Sequence, residues 1–156
     1  MEYKNLQLTL QQLSPTLVNL YRQNIDSSGS NASGALANNI SFEVVKGDSF
    51  YAVDFRLMDY WKYVENGRKP GKWPNLNAIQ NWISVKRIAP RAYNGKLPTL
   101  NELTYLISRK IALKGIEPKN LLSKAINIFE ENYIQLIEDA ITKDLSNEID
   151  FNLNAI

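Results

Sequence analysis

An α+β fold with a small antiparallel sheet covered by helices is what three features of this 156-residue chain predict. Leucines recur at helical spacing near the N-terminus. Two alternating runs flank a Lys-Gly-Asp turn within residues 40–57, and three helix-period segments fill the second half. The expected arrangement is a hairpin (residues 40–57) packed against an N-terminal helix and two to three C-terminal helices. Residues 1–145 would form one domain and residues 146–156 an extended tail.

Leu6, Leu10, Leu13, Leu17 and Leu20 are spaced four and three apart, which puts them on one helix face. Pro15 interrupts that pattern and predicts either a kink or a fresh helix start with Ser14 as N-cap. Residues 26–35, DSSGSNASGA, have the composition of a flexible loop, with Ser27–Ser33 its most mobile part. In the hairpin, Tyr51, Val53 and Phe55 alternate with Ala52, Asp54 and Arg56, so Asp54 and Arg56 should face solvent. A lone hairpin is marginal, which predicts a third strand from elsewhere in the chain or from a neighbouring copy.

Asn75 is a candidate N-cap for a short helix whose inner face is Leu76, Ile79, Trp82 and Ile83. Thr99 and Glu102 have capping-box spacing. Leu103, Leu106, Ile107 and Ile111 should line that helix's buried side, and Gly115 should end it. Pro118 is expected near the first turn of the last helix, whose seam would be Leu122, Ile126, Phe129, Tyr133, Leu136 and Ala140. Ile128, Ile134, Ile137 and Ile141 widen that face enough for two partners.

Composition excludes several kinds of chemistry. With no cysteine and no histidine there is no disulfide framework, no soft-ligand zinc site, no Cys or Ser–His triad and no imidazole acid–base. No glycine-rich phosphate loop or nucleophile elbow occurs. Asp48, Asp54, Asp59 and Glu65, with Lys69, could in principle surround Mg²⁺, but no paired-ligand spacing recurs among them. We therefore expect no catalytic residues, cofactor or metal. No apolar run reaches the roughly 18 residues of a membrane span, and the N-terminus is too polar for a signal sequence.

Charge is unevenly spread. Residues 62–124 hold thirteen Lys and Arg against Glu65, Glu102 and Glu117, a net of +10, whereas residues 125–156 hold Lys143 against seven acids, a net of −6. Such a split suits charge matching between copies, a basic face toward a polyanion, or simply solvated faces on different helices.

The segment Tyr60–Trp73, YWKYVENGRKPGKW, concentrates the contact-prone residues. Gly67, Pro70 and Gly71 break regular structure there, leaving Lys62, Arg68, Lys69 and Lys72 on a loop among aromatics. Tyr60, Tyr63, Glu65, Arg68, Lys69, Lys72 and Trp73 are the candidate interface residues. Glu65 either reaches a cation on a neighbouring subunit or simply caps a turn or pairs with Arg68. The basic loop either lines a channel containing DNA, grips acidic residues of an adjoining ring, or merely keeps the surface soluble. Trp73 and Trp82 are expected in the core rather than as stacking platforms.

Two motifs carry a resemblance. Ser33-Gly34-Ala35-Leu36-Ala37-Asn38-Asn39-Ile40 precedes the hairpin, and Tyr60-Trp61-Lys62-Tyr63-Val64-Glu65-Asn66-Gly67 follows it. In that order, after a proline-bearing first helix, they resemble the head–tail connector, neck and tail-completion proteins of long-tailed bacteriophages. The family's Gly-Ala-Leu-Arg-x-Ser-Ile signature has Ala37 and Asn39 here in place of Arg and Ser. Its Tyr-Ala-x-Tyr-Val-Glu-x-Gly motif is matched at Tyr60, Tyr63, Val64, Glu65 and Gly67. The resemblance covers residues 1–67; residues 68–98 look like an insertion. In the family's later Ala-Arg-Pro-Phe-Leu type segment, only Pro118 and Leu121 match. The resemblance implies a non-enzymatic virion protein forming a homo-oligomeric ring at the neck or tail-completion site. Its partners would be portal or connector and tail proteins, with non-specific contact to DNA in the lumen and none to membrane. Before assembly it would reside in the host cytoplasm. The alternative from the residues themselves is a small intracellular DNA-binding accessory protein that uses the basic 62–124 region.

Overall fold

The first helix, α1 (Lys4–Ser27), runs unbroken through Pro15. Ser14 is not an N-cap but a buried helical residue, its hydroxyl donating back to the Leu10 carbonyl at 2.6 Å. The proline is tolerated because its ring lies on the exposed side, where the carbonyl it leaves without a donor can meet water. The structure, a computed structural model, describes residues 3–30, 34–48, 50–92 and 95–153. Part of the loop expected to be mobile, Asn31–Ser33, therefore lies outside the described residues, as do residues 154–156 of the expected tail.

The last helix, α6 (Leu121–Leu153), lies antiparallel to α1. Asn24 at one end of α1 donates to the Leu121 carbonyl, and Asn5 at the other end meets Asp144. Pro118 stands just ahead of this helix, near its first turn as expected. The extended tail predicted from residue 146 is instead helical as far as Leu153. Because α1 begins opposite Asp144, residues 145–153 overhang it by about 14 Å at 1.5 Å per residue.

Between the two long helices, the single turn α2 (Ala35–Asn38) inserts Leu36 and Ala37 into the core, and Ile40 follows them. Strands β1 (Ser41–Lys46) and β2 (Tyr51–Arg56) pair antiparallel, with Phe42 opposite Phe55 and Val44 opposite Val53. Asp54 and Arg56 are exposed as expected, Arg56 bridging to Glu43 at 2.9 Å. Among the described residues the sheet has only these two strands. The hairpin is supported instead by α1, through Phe42, Phe55 and Leu57 packed against Val18, Tyr21 and Ile25.

Residues 68–116 leave this body as a helical arm. The short α3 (Trp61–Asn66) ends at Gly67, after which α4 (Leu76–Lys86) and α5 (Leu100–Lys114) form a helix pair. Asn75 caps α4 by accepting from the Asn77 and Ala78 N–H groups, and the Thr99–Glu102 capping box opens α5. The arm rejoins the body where Arg68 and Ile116 exchange two backbone hydrogen bonds of 2.8 Å.

The expected inner faces hold in part: Leu122, Phe129, Tyr133 and Ala140 of the α6 seam are buried or half-buried. On α5 the buried residues are Thr104, Ser108 and Ala112, with Leu103, Ile107 and Ile111 half-buried beside them and Leu106 exposed. On α6 they are Leu121, Ala125, Ala140 and Asp144, while Ile126 and Leu136 of the expected seam are exposed. Among the described residues, no helix is long and apolar enough to cross a membrane.

Candidate interface surfaces

On α3, Trp61 and Val64 turn toward the core and place Glu65 beside them, while Tyr60 and Tyr63 face outward and are exposed. Glu65 is only 5% exposed. Its carboxylate accepts from the Leu122 N–H at 2.8 Å, the Ser123 N–H at 2.9 Å and the Ser123 hydroxyl at 2.6 Å. These are donors of the first turn of α6, where the helix dipole also favours an anion. Burial alone would push this carboxyl up, but the Ser123 hydroxyl and the Leu121–Ser123 amides together hold it below the usual range. Capping is thus the role the structure gives Glu65, across 57 residues of sequence rather than within its own turn. The side chain is not available to a neighbouring subunit.

Asp144 does the same for α1. Tyr3 provides no side-chain cap there, and the first turn contains no acid. Asp144 instead accepts from the Asn5 and Leu6 N–H groups at 3.0 and 2.9 Å and from the Asn5 amide at 2.8 Å. Desolvation opposes the charge, and these donors outweigh it, so the carboxyl is held low. Sequence reasoning missed Asp144. The available signal was negative: neither MEYK at the start of α1 nor KNLL at the start of α6 supplies a good local capping box.

Gly67 and Gly115 make the root of the arm. They have φ/ψ of 67°/−158° and 76°/−162°, a region essentially reserved for glycine. A β-carbon on Gly67 would lie 2.2 Å from the Ile116 carbonyl oxygen, and one on Gly115 would lie 2.2 Å from that of Arg68. Just beyond, the half-buried Arg68 donates its guanidinium to the carbonyls of Lys72 and Trp73 at 2.9 and 3.1 Å, closing the loop. Lys69 and Lys72 are exposed. Trp73 and Trp82, expected in the core, are 49% and 40% exposed, and Trp73 packs its ring on Tyr105 at 5.5 Å. The helix pair is too thin to enclose an indole, so its large aromatics stay at the surface.

This division of the chain is also a division of charge. Residues 68–116 carry ten Lys and Arg against Glu102 alone, a net of +9, and the remaining residues carry eight cations and fifteen acids, a net of −7. The arm exposes Leu97 and Leu106 around an open groove of about 860 Å³ beside the start of α5, and Leu113 elsewhere on that helix. The α6 overhang exposes Leu145, Ile149, Phe151 and Leu153. Asp48, Asp54, Asp59 and Glu65 are not gathered, and no group of three metal-ligating side chains occurs among the described residues. Both surfaces offer complementary charge and apolar area. No protein-family model, curated protein or solved structure matches the chain.

Proposed function

We propose that the chain is a structural virion protein of a tailed bacteriophage, assembling as a ring at the head–tail neck or tail-completion site. It would join portal or connector to tail and surround the DNA channel. The observation that carries this reading is the presence of two unlike sticky surfaces on one small chain. A basic arm with an apolar groove is rooted at one end of the body, and an acidic, apolar helix end projects from the other. A head-to-tail contact between unlike surfaces generates a closed ring when its rotation closes. The two motifs support the same reading: the first forms the core-filling turn α2, and the second supplies Glu65 to fix α6.

Cryo-electron microscopy of particles encoded with this chain tests the proposal. The expected result is a ring of copies around the channel between head and tail. Virions that lack the chain, or hold it only as isolated copies, would overturn it.

The net +9 of the arm, with Trp73, Trp82 and Tyr105 at its surface, favours one alternative: an intracellular protein that binds DNA through this region. Duplex binding by the isolated protein that weakens steeply with salt, together with absence from particles, would establish that alternative.

A further inference from the structure

Beyond the point where α1 begins, the α6 overhang exposes apolar side chains. Leu145, Ile149 and Leu153 recur every four residues, forming a row of branched aliphatic side chains about 12 Å long on one side of it. The overhang carries Glu148 and Asp150 and no cation, the Asp144 carboxylate being held by the first turn of α1. Nothing in the fold of α1 covers this row, because α1 starts opposite Asp144.

The arm offers the complementary surface. Its groove is walled by Leu97, Leu103, Tyr105 and Leu106, with Arg91 and Lys96 at the rim. Glu102, the only acid of the arm, also borders it, but its carboxylate is held by the Thr99 N–H and hydroxyl. The groove is therefore apolar inside and cationic at the edge, as the overhang is apolar along its row and anionic beside it. Phosphates would gain little from the apolar walls, which argues against DNA as the occupant of the groove itself.

The root of the arm and the overhang lie at opposite ends of α6. The arm roots beside the first turn of α6, through the Arg68–Ile116 pairing and the Lys119 N–H to Val64 carbonyl bond. The overhang begins at Leu145, about 36 Å farther along the helix axis. Leu106 lies only about 12 Å along α5 from Lys114 at the root, too little to span that distance, so the matching surfaces meet on different copies.

We infer that the α6 overhang of one copy docks into the α5 groove of the next, with Leu145, Ile149 and Leu153 against Leu103 and Leu106. The contact is heterologous, so each copy uses its groove toward one neighbour and its overhang toward the other. Apolar burial holds the pair together, while Arg91 and Lys96 set register and raise the association rate against the acidic helix end. The inference rests on the ring reading above, to which it supplies the contact.

The chain has no cysteine, so a cross-linking test needs no background removal. Leu106→Cys and Ile149→Cys are made separately in the full-length protein; both positions are exposed, and circular dichroism checks that each variant keeps its fold. Under mild oxidation the mixture of the two should give disulfide dimers at least tenfold above a mixture of Leu106→Cys with Glu43→Cys on the hairpin. The double variant Leu106→Cys/Ile149→Cys should give a ladder of multimers, since each copy then carries both halves of the contact. Yields no higher than the hairpin control would overturn the inference, as would Leu106→Cys cross-linking in particles to a portal or tail protein instead. The ring reading fails separately: ladders from a protein absent from virions leave this contact standing. A virion ring without the cross-link leaves the ring standing and removes the contact.

Discussion

At α6 the Glu65 carboxylate meets donors that no other side chain satisfies in its place, since Leu122 and Ser123 lie at a helix N-terminus. Glu65→Ala should therefore lower stability by about 2 kcal/mol at neutral pH, read from the urea midpoint. The same measurement has a defined pH dependence. The folded carboxyl lies below the ordinary value of 4.5, so the unfolded chain binds the proton more readily as pH falls. The stabilisation is complete above that value and is lost as pH drops through the folded one. Asp144, also lowered, acts in the same direction at the other long helix. A Glu65→Gln/Asp144→Asn variant should be less stable than wild type at pH 7, with the gap narrowing below about pH 4; a gap independent of pH would refute the capping account. Neither cap was legible in the sequence, because each joins residues whose proximity exists only after α1 and α6 have packed. Tyr21 supplies a contrasting case. Burial, with Glu65 and Tyr60 nearby, pushes its phenol up to about 12, and its buried hydroxyl meets no hydrogen-bond partner among the described residues. Tyr21→Phe should leave the urea midpoint unchanged or raise it, by up to about 1 kcal/mol, because it removes a desolvated group that gains nothing. A loss above that would mean the hydroxyl has a partner in solution.

Most elements were readable from periodicity and caps: the hairpin, the Asn75 and Thr99 caps and the start of the long last helix stand where spacing put them, whereas the short α3, with Lys62 on it, and residues 146–153 of α6 were expected as loop and tail. Their inner faces were legible only in part. Apolar residues mark the flanks of a packed helix, but where two backbones approach, the centre belongs to small side chains. Here Ser14, Thr104, Ser108, Ala125 and Ala140 occupy it and displace the leucines outward. The arm was legible as an insertion but not as a unit, since its boundary is drawn by the pairing of Arg68 with Ile116. Gly67→Ala should weaken that root by about 3 kcal/mol, because the β-carbon meets backbone atoms that cannot move aside. Gly71→Ala makes the control: its β-carbon would meet nothing within 4 Å, leaving only the backbone strain of its positive φ. Equal losses at the two glycines would remove the steric argument. A related expectation concerns excision. The main core draws on residues 18–40 and 121–125 and none of the arm. Replacing residues 68–116 with a short Gly-Ser linker should therefore leave a body that still unfolds cooperatively. The ends to be joined are already adjacent, so loop closure costs little. Loss of the cooperative transition would show that the arm is part of the core.

For the whole molecule, the opposed charges of arm and body decide how it meets anything else. The sequence already showed a basic middle and an acidic end, but only the fold assigns them to separate bodies, moving the basic boundary from residues 62–124 to 68–116. It also separates Arg68 from Lys69 and Lys72, which the sequence places together. Arg68 holds the carbonyls of Lys72 and Trp73, so Arg68→Glu should disturb the loop itself. Lys69 and Lys72 are exposed, and Lys69→Glu/Lys72→Glu should leave the melting temperature essentially unchanged. What the double variant alters separates the readings of these lysines. If they steer a neighbouring acidic surface, association should slow by about tenfold at low salt, with a smaller change in dissociation, and incorporation into particles should fall. If they face DNA in the channel, particles should assemble normally but retain or eject their DNA abnormally. Normal assembly, DNA retention and infection would assign both lysines to a solvated loop. The arm's role would then rest on the α5 groove, which lies beside Leu97, Leu103 and Leu106 and does not include either lysine.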